Sequence, residues 1–398
     1  MPILDAQRPL RALVAIALIA AAPLAAQRHG GFIARLGADT MQVEEFTRNG
    51  NTTHGTILVH APRFRRVQWS MTYDDRGTPL RFRAESFDAD GAPMLASYTG
   101  TMTFRNDSLV RDVYNATSEL VQVSSPAPYG AVPYTGIPYF GLSYLMYEDG
   151  FAAARRRIAA GVDSVPYLYQ ITLFPAQLKP QRSRAWLVAA DSAELDYFGV
   201  ARSGFKFNAA GELLRSDWTR TTYRYLVERV GKVDLETIAT AWIAAERAGK
   251  GVGTISPRDS VKAVVGSSNL TFDYSRPAVR GRVIWGDIVP WDKVWRLGAD
   301  MATHFTTSAD LLIGGTTVPA GRYSLWLIPS ETAPLLVVSS AVNVFGTSYN
   351  PARDFARIPV RRASIAAPVE RLTIGVRDGV LVIAWDKTEW VVPVVVKP

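Results

Sequence analysis

The stretch 67-VQWSMTYDDRGTPLRFRAESF-87 reads as two strands and the turn between them. Val67, Trp69, Met71 and Tyr73 alternate with polar residues, the period-2 pattern of a strand with one buried face. Beyond 74-DDRG-77, whose Asp and Gly residues suit a tight reversal, Leu80, Phe82 and Ala84 take inner positions and Arg81, Arg83 and Glu85 outer ones. The pattern extends outward on both sides. Asn49-Gly50, 88-DADG-91 and Asn106-Asp107 mark further turns. Alternation resumes in 194-ELDYFGV-200, 205-FKF-207 and 213-LLRSDWTRTTYRYLVE-228, with 208-NAAG-211 as a reversal. Short alternating runs at this spacing predict an antiparallel meander.

Two helices interrupt it. One is expected near 150–160, within 148-EDGFAAARRRIAAG-161, and ends at Gly161. The other is expected over 234–248. Asp234 suits its N-cap, Leu235, Ile238, Ala239, Trp242 and Ile243 form one stripe, and Gly249 stands just past its end. The Gly-rich run 249–258 reads as a linker. From 259 the pattern is β again: 369-VERLTIGV-376 and 380-VLVIAWD-386 flank Asp378-Gly379, a strong hairpin signal. In the final 389-EWVVPVVVKP-398, Pro393 suggests an edge strand or a bulge. The expected fold is mainly β: an N-terminal curled, half-barrel-like antiparallel sheet with two helices over 27–248, then a C-terminal antiparallel β-sandwich over 259–398.

The chain has 398 residues, 48% hydrophobic and 20% charged, enough apolar material for more than one core. Arg8 and Arg11 precede 12-ALVAIALIAAAPLAAQ-27, a short apolar run broken by Pro23 and followed by small residues. That layout predicts a signal peptide over 1–26 and a periplasmic or extracellular protein. No later run reaches the roughly 18 apolar residues of a spanning helix. With no Cys, disulfides and thiolate chemistry are excluded. The net charge of +8 is spread, with 63-RFRR-66 and 155-RRR-157 its densest runs, and no nucleic-acid module is recognisable.

Catalytic signatures are absent: no H-E-x-x-H, no G-x-S-x-G and no Walker loop. His54 and His60 make too small a set for a metal centre, and no metal or cofactor is expected. Ser203 and Lys206 match S-x-x-K by letter, but a strand sends positions i and i+3 to opposite faces. Two segments remain. In 126–147 the pairs at Pro128-Tyr129, Pro133-Tyr134 and Pro138-Tyr139 describe either a lip over a ligand cavity or a loop capping a sheet end with its own aromatics. In 281–305, Trp285, Trp291 and Trp295 stand among Asp287, Asp292, Arg296, Asp300 and His304. Tryptophan beside carboxylates suits sugar binding, and a carboxylate pair among Asp287, Asp292 and Asp300 would suit glycoside hydrolysis; core packing and turn chemistry explain the same residues. Arg282, Arg296 and Arg322 are candidate partners for Asp287 or Asp300. The ligand-binding candidates are therefore Tyr129, Tyr134, Tyr139, Trp285, Asp287, Trp291, Arg296, Asp300 and His304, for a small-molecule, lipid or glycan ligand or an envelope partner. The leading expectation is an exported, non-catalytic binding protein, and the alternative is a glycan-directed hydrolase.

Two blocks, 275-SRPAVRGRVIWGDIVPWDKVWRLGADMATHFTT-307 and 310-DLLIGGTTVPAGRYSLWLIPS-330, resemble the bacterial domain-of-unknown-function family 2911. The resemblance covers much of 270–390 and implies an exported β-rich domain with no assigned activity. Asp300 and Met301 stand where that pattern has Asn and Glu, and His304 where it has Thr. More loosely, the curled sheet with its helices resembles lipoprotein carriers and similar lipid-handling folds.

Overall fold

The computed structural model describes residues 27–398 except 97–98, 134–142, 174, 177–178, 198–200 and 222. The expected signal peptide, Tyr134 and the pair Pro138-Tyr139 lie outside the described residues. In chain order the N-terminal strands are β1 (Arg28–Leu36), β2 (Asp39–Asn49), β3 (Thr52–Val59), β4 (Arg65–Tyr73), β5 (Pro79–Phe87), β6 (Gly100–Phe104), β7 (Ser108–Tyr114), β8 (Leu120–Pro126) and β9 (Val132–Pro133). Helix α1 (Leu145–Ala159) precedes β10 (Tyr167–Ile171), β11 (Gln181–Ala189), β12 (Ser192–Tyr197), β13 (Ala201–Phe207), β14 (Leu213–Asp217) and β15 (Leu226–Val230). After α2 (Leu235–Arg247) come β16 (Arg258–Val265), β17 (Ser268–Ser275), β18 (Thr303–Thr307), β19 (Leu311–Ile313), β20 (Thr316–Val318), β21 (Gly321–Ile328), β22 (Leu335–Ser339), β23 (Asp354–Pro359), β24 (Arg361–Arg377) and β25 (Val380–Val396).

The first fifteen strands form one sheet. β1 to β8 run as a meander, β10 to β15 as another, and β1 pairs with β15 to join them. All pairs are antiparallel except β9 with β10. The curled sheet stays open, ending at β8 and β9 among the described residues. Across the seam Arg111 of β7, fully buried, donates to Thr172 O at 2.9 Å. The four inner residues of β4 are buried as the alternation predicts, but Leu80 is 44% exposed. Tyr73 pairs with Pro79 and Thr72 with Arg81, so Leu80 is the extra residue of a bulge and leaves the inner face. The run 213–228 is two strands rather than one. Trp218 N donates to Tyr225 O at 2.9 Å and the two rings stack at 5.5 Å, closing a loop between β14 and β15.

The meander order gives the sheet two ends. Helix α1 occupies one. It is buried from Leu145 to Phe151 and reaches the ends of β2, β4, β13 and β15 and the starts of β1 and β14. At the other end the β1–β2 turn meets the C-terminal half: Ala38 N donates to Arg280 O at 3.0 Å, and Arg280 pairs with Asp39. There too Arg224 donates to Ile288 O at 3.1 Å. Helix α2 covers the convex face, packing Leu235 and Ala239 against Val43, Leu58 and Phe64. Asp234 caps it by accepting from Thr237 N. The stretch after it is docked rather than free: Val252 and Ile255 pack on Leu36, Met41 and Ala61.

The C-terminal half is a sandwich. Its six-stranded sheet runs β16-β17-β18-β21-β22-β23 and its four-stranded sheet β20-β19-β25-β24. Phe272, Phe305 and Leu325 of the first meet Ile374, Ile383 and Val392 of the second, and Tyr274 OH accepts from Ile374 N at 2.8 Å. Asp378 and Gly379 take φ of 52° and 71°, the left-handed pair a tight hairpin requires. β25 is an interior strand, not an edge. Pro393 stands between its ladder with β24, which ends at Val391, and its ladder with β19, which starts at Val394, so its missing N–H costs no ladder bond. No helix among the described residues is long and apolar enough to cross a membrane.

Candidate functional site

Helix α1 carries a charged network into the hollow of the curled sheet. Glu148 and Asp149 are buried on its first turns. Glu148 accepts from Arg28 at 3.1 Å, from Arg229 at 3.2 Å and from Leu213 N at 3.0 Å. Arg28 also pairs with Glu212. Asp149 accepts from Tyr73 OH at 2.7 Å and from Arg48 at 3.3 Å. Burial pushes the Glu148 carboxyl up, against the pull of Arg28 and Arg229. Tyr73 lies well above the usual tyrosine range, first through burial and then through Asp149. Burial works against the Arg48 charge as well, but Asp149 and Tyr73 outweigh it and raise its pKa. Arg48 Nε is buried without a hydrogen-bond partner.

Deeper in the hollow, Glu44 of β2 meets the start of the helix. It is fully buried, accepts from Tyr144 N at 3.0 Å and binds the Ser143 hydroxyl. Tyr144 N is one of the backbone donors that the start of a helix leaves without an intrahelical partner. Burial raises the Glu44 carboxyl to about 7, despite Ser143, Tyr144 and Arg229. Phe32, Phe46 and Tyr144 wall the same region, with Phe32 5.9 Å from each of the other two rings. The Arg229 guanidinium lies 5.4 Å from the Phe32 ring. Along the helix, Phe151 packs on Phe205 at 4.9 Å, and Tyr147 on Phe205 at 5.1 Å.

Sequence reasoning missed this network. Alternation in β2 places Gln42, Glu44, Phe46 and Arg48 on the hollow side, a mixed face that carries no apolar signature. The available signal was 148-EDG-150, two acids at the start of a helix that is otherwise mainly apolar in its first half.

Tyr129, the first of the Pro-Tyr pairs, is an anchor. Its hydroxyl donates to Asp74 at 2.8 Å and accepts from Thr78 at 2.6 Å, and its carbonyl accepts from Arg157 at 3.1 Å. The residue thus ties its loop to the β4–β5 turn.

The tryptophans of 285–295 converge on one another. Trp285 is central, with Trp390 at 5.2 Å, Trp295 at 5.9 Å, and Trp291 and Trp385 at 6.3 Å. Trp295 stacks on Trp385 at 5.5 Å, and Arg362 lies over Trp291 at 4.9 Å. Gly286 permits this packing: its φ is 90°, and a Cβ would lie 2.8 Å from Trp291 Nε1. The indole N–H groups of Trp285 and Trp390 are buried without partners.

The charged candidates of that segment are placed elsewhere. Asp287, Asp292 and Asp300 are exposed on turns, the last two at φ of 58° and 60°. Asp287 acts on Arg224 across the junction of the two halves. Arg282 donates to the carbonyls of Ala278 and Val279 rather than to an aspartate. Arg296 packs against Gly346, whose N–H donates to Asp300 O at 2.8 Å. His304 pairs in register with Asp273 and Ser324, while its neighbour Phe305 faces the sandwich core. The side chain therefore lies on the opposite face of the six-stranded sheet from the core residues that the tryptophans join. It sits 3.2 Å from Arg258, and burial first, then Arg258, holds it below the usual histidine range. Of the seven described candidates, Tyr129 lies at the β4–β5 turn, Trp285 and Trp291 in the tryptophan cluster, and Asp287, Arg296, Asp300 and His304 outside that cluster.

His60, Ser203 and Lys206, set aside in the sequence, each have a partner within the fold. His60 stacks on Trp242 at 4.2 Å, Ser203 Oγ donates to Leu195 O at 3.3 Å, and Lys206 pairs with Asp191 at 3.0 Å.

Residues 256–394 match the family described as a protein of unknown function, DUF2911. The match begins just before β16 and takes in the sandwich and its tryptophan cluster, so the curled sheet lies outside it. No curated protein matches the chain in sequence. Among solved structures, one similar in outline is a β-barrel-like DUF1849 protein from Brucella abortus. Its identity is 11% and its TM-score 0.30, covering 51% of this chain and 94% of that one. Another is the isotype 1 transferrin binding protein B from serogroup B Neisseria meningitidis. There the identity is 10% and the TM-score 0.14, covering 94% of this chain and 77% of that one. Likenesses of this size carry no functional argument for either half, and the DUF2911 match assigns no activity.

Proposed function

We propose that this is an exported, non-catalytic binding protein built from two modules, residues 27–248 and 259–398. The curled sheet takes an amphipathic ligand with an anionic head, and the DUF2911 region serves as a second binding or docking module. One observation carries the reading: α1 enters an aromatic-walled hollow and is held at its rim by Arg28, Arg48 and Arg229 through Glu148 and Asp149. Buried ion pairs roughly cancel their own desolvation cost, so they position the helix more than they stabilise it. A ligand with an anionic head satisfies the same arginines, and an apolar tail replaces Leu145, Tyr147 and Phe151.

The test is native mass spectrometry of the full chain recovered from its exporting cell, followed by denaturing extraction. The expected result is a defined added mass, released as an anionic amphiphile and lost in Arg229→Gln. A clean apo mass, with no stabilisation by any fatty acid or anionic lipid, overturns the reading.

A further inference from the structure

We propose that the α1 end of the curled sheet is a docking rim for an anionic lipid bilayer. Among the described residues of the curled-sheet half, five of the six large apolar side chains left exposed lie at this end: Leu80 44%, Val162 61%, Leu187 40%, Val188 63% and Leu214 42%. The strand order fixes their placement. Leu80 starts β5, Leu214 follows the first residue of β14, Val162 follows α1, and Leu187 and Val188 end β11. The register skips Val188 between Leu187 and Ala189, which leaves 187-LVAA-190 exposed as an apolar hairpin tip. Scattered single apolar residues are ordinary on a protein surface. Here they ring one end of a sheet whose other end is already taken by Arg280 and Ile288.

Charge points to the same occupant. Arg76, in the β4–β5 turn, and Arg105, in the β6–β7 turn, are exposed on this rim. Arg155 at the end of α1 rests on Phe207 at 5.3 Å. The carboxylates here are mostly engaged within the protein: Asp74 with Tyr129, Asp163 with Arg157, Asp191 with Lys206 and Glu212 with Arg28. A rim of separate apolar side chains with unpaired guanidiniums between them matches a lipid interface. Each apolar residue can enter the headgroup–acyl boundary independently, while the arginines meet phosphate. The proposal does not depend on what fills the hollow.

Because the chain has no cysteine, single probes can be placed by substitution. Val188→Cys, Val162→Cys and, on the sandwich, the 70%-exposed Val264→Cys are each labelled in the full chain with a polarity-sensitive fluorophore. Vesicles of phosphatidylglycerol and phosphatidylcholine in equal parts should shift the emission at 188 and 162 to the blue and leave 264 unchanged. Adding Arg76→Gln to the 188 variant should weaken vesicle binding about fivefold, the contribution of one basic residue at an anionic surface. Each probe reads its own surroundings, so attachment through residues 12–27 alone leaves the rim silent. A silent rim, an equal response at 264, or an equal response to pure phosphatidylcholine overturns the proposal. A ligand found by mass spectrometry beside a silent rim would leave the ligand-binding reading standing and remove this one.

Discussion

Replacing Glu44 by Gln should stabilise the curled sheet at alkaline pH and do little at acid pH. Glu44 is fully buried, and the fold raises its carboxyl from 4.5 to about 7. The folded state therefore holds a proton that the unfolded chain releases between those values. Stability is highest when the group is neutral in both states, falls as pH rises from 4.5 through 7, and is level above that. A shift of 2.5 units at 1.36 kcal/mol each is about 3 kcal/mol lost at full ionisation. Glutamine keeps an acceptor for Tyr144 N and never ionises. The advantage of Glu44→Gln over the parent should thus grow by about 2.5 kcal/mol between pH 5 and pH 8. Urea unfolding followed by hydrogen exchange in peptides of β1 to β4 and α1 reads this core apart from the sandwich. Taking the difference between the two proteins at each pH cancels every other titrating group. A difference that stays constant with pH, or a variant less stable at pH 8, would refute the assignment of Glu44 as a buried carboxylate stranded near neutrality.

Other substitutions probe separate contacts. Asp149→Ala leaves Arg48 and the Tyr73 hydroxyl facing an empty position, and by urea unfolding should cost about 3–5 kcal/mol. Trp390→Ala removes a fully buried ring from the tryptophan cluster and should cost about 3–5 kcal/mol in the sandwich, read by thermal unfolding. Gly286→Ala combines a φ of 90° with a Cβ against Trp291, and should cost about 1–3 kcal/mol with a change in tryptophan emission. His60 titrates with the opposite sign to Glu44. Burial against Trp242 lowers its pKa, so its contribution is present above 6.5 and is lost as pH falls below that. His60→Phe should flatten that acid limb of the stability curve.

Sequence alone determined the local grammar. The alternation of 67–73, the turns at Gly50, Gly77 and Gly91, the Asp234 cap and the Asp378-Gly379 hairpin all sit where the pattern puts them, because each depends on residues adjacent in the chain. Leu80 and the 218–225 loop escaped, since a bulge is set by the partner strand and a loop by a ring stack across it. The tryptophan segment was legible as an aromatic concentration, but not its shape. Trp385 and Trp390 complete the cluster from about a hundred residues away and turn the rings toward one another. The buried network at α1 was decided by tertiary structure alone. Arg28, Glu44, Glu148 and Arg229 lie on four separate elements, and only the closing of β1 onto β15 brings their charges into one hollow.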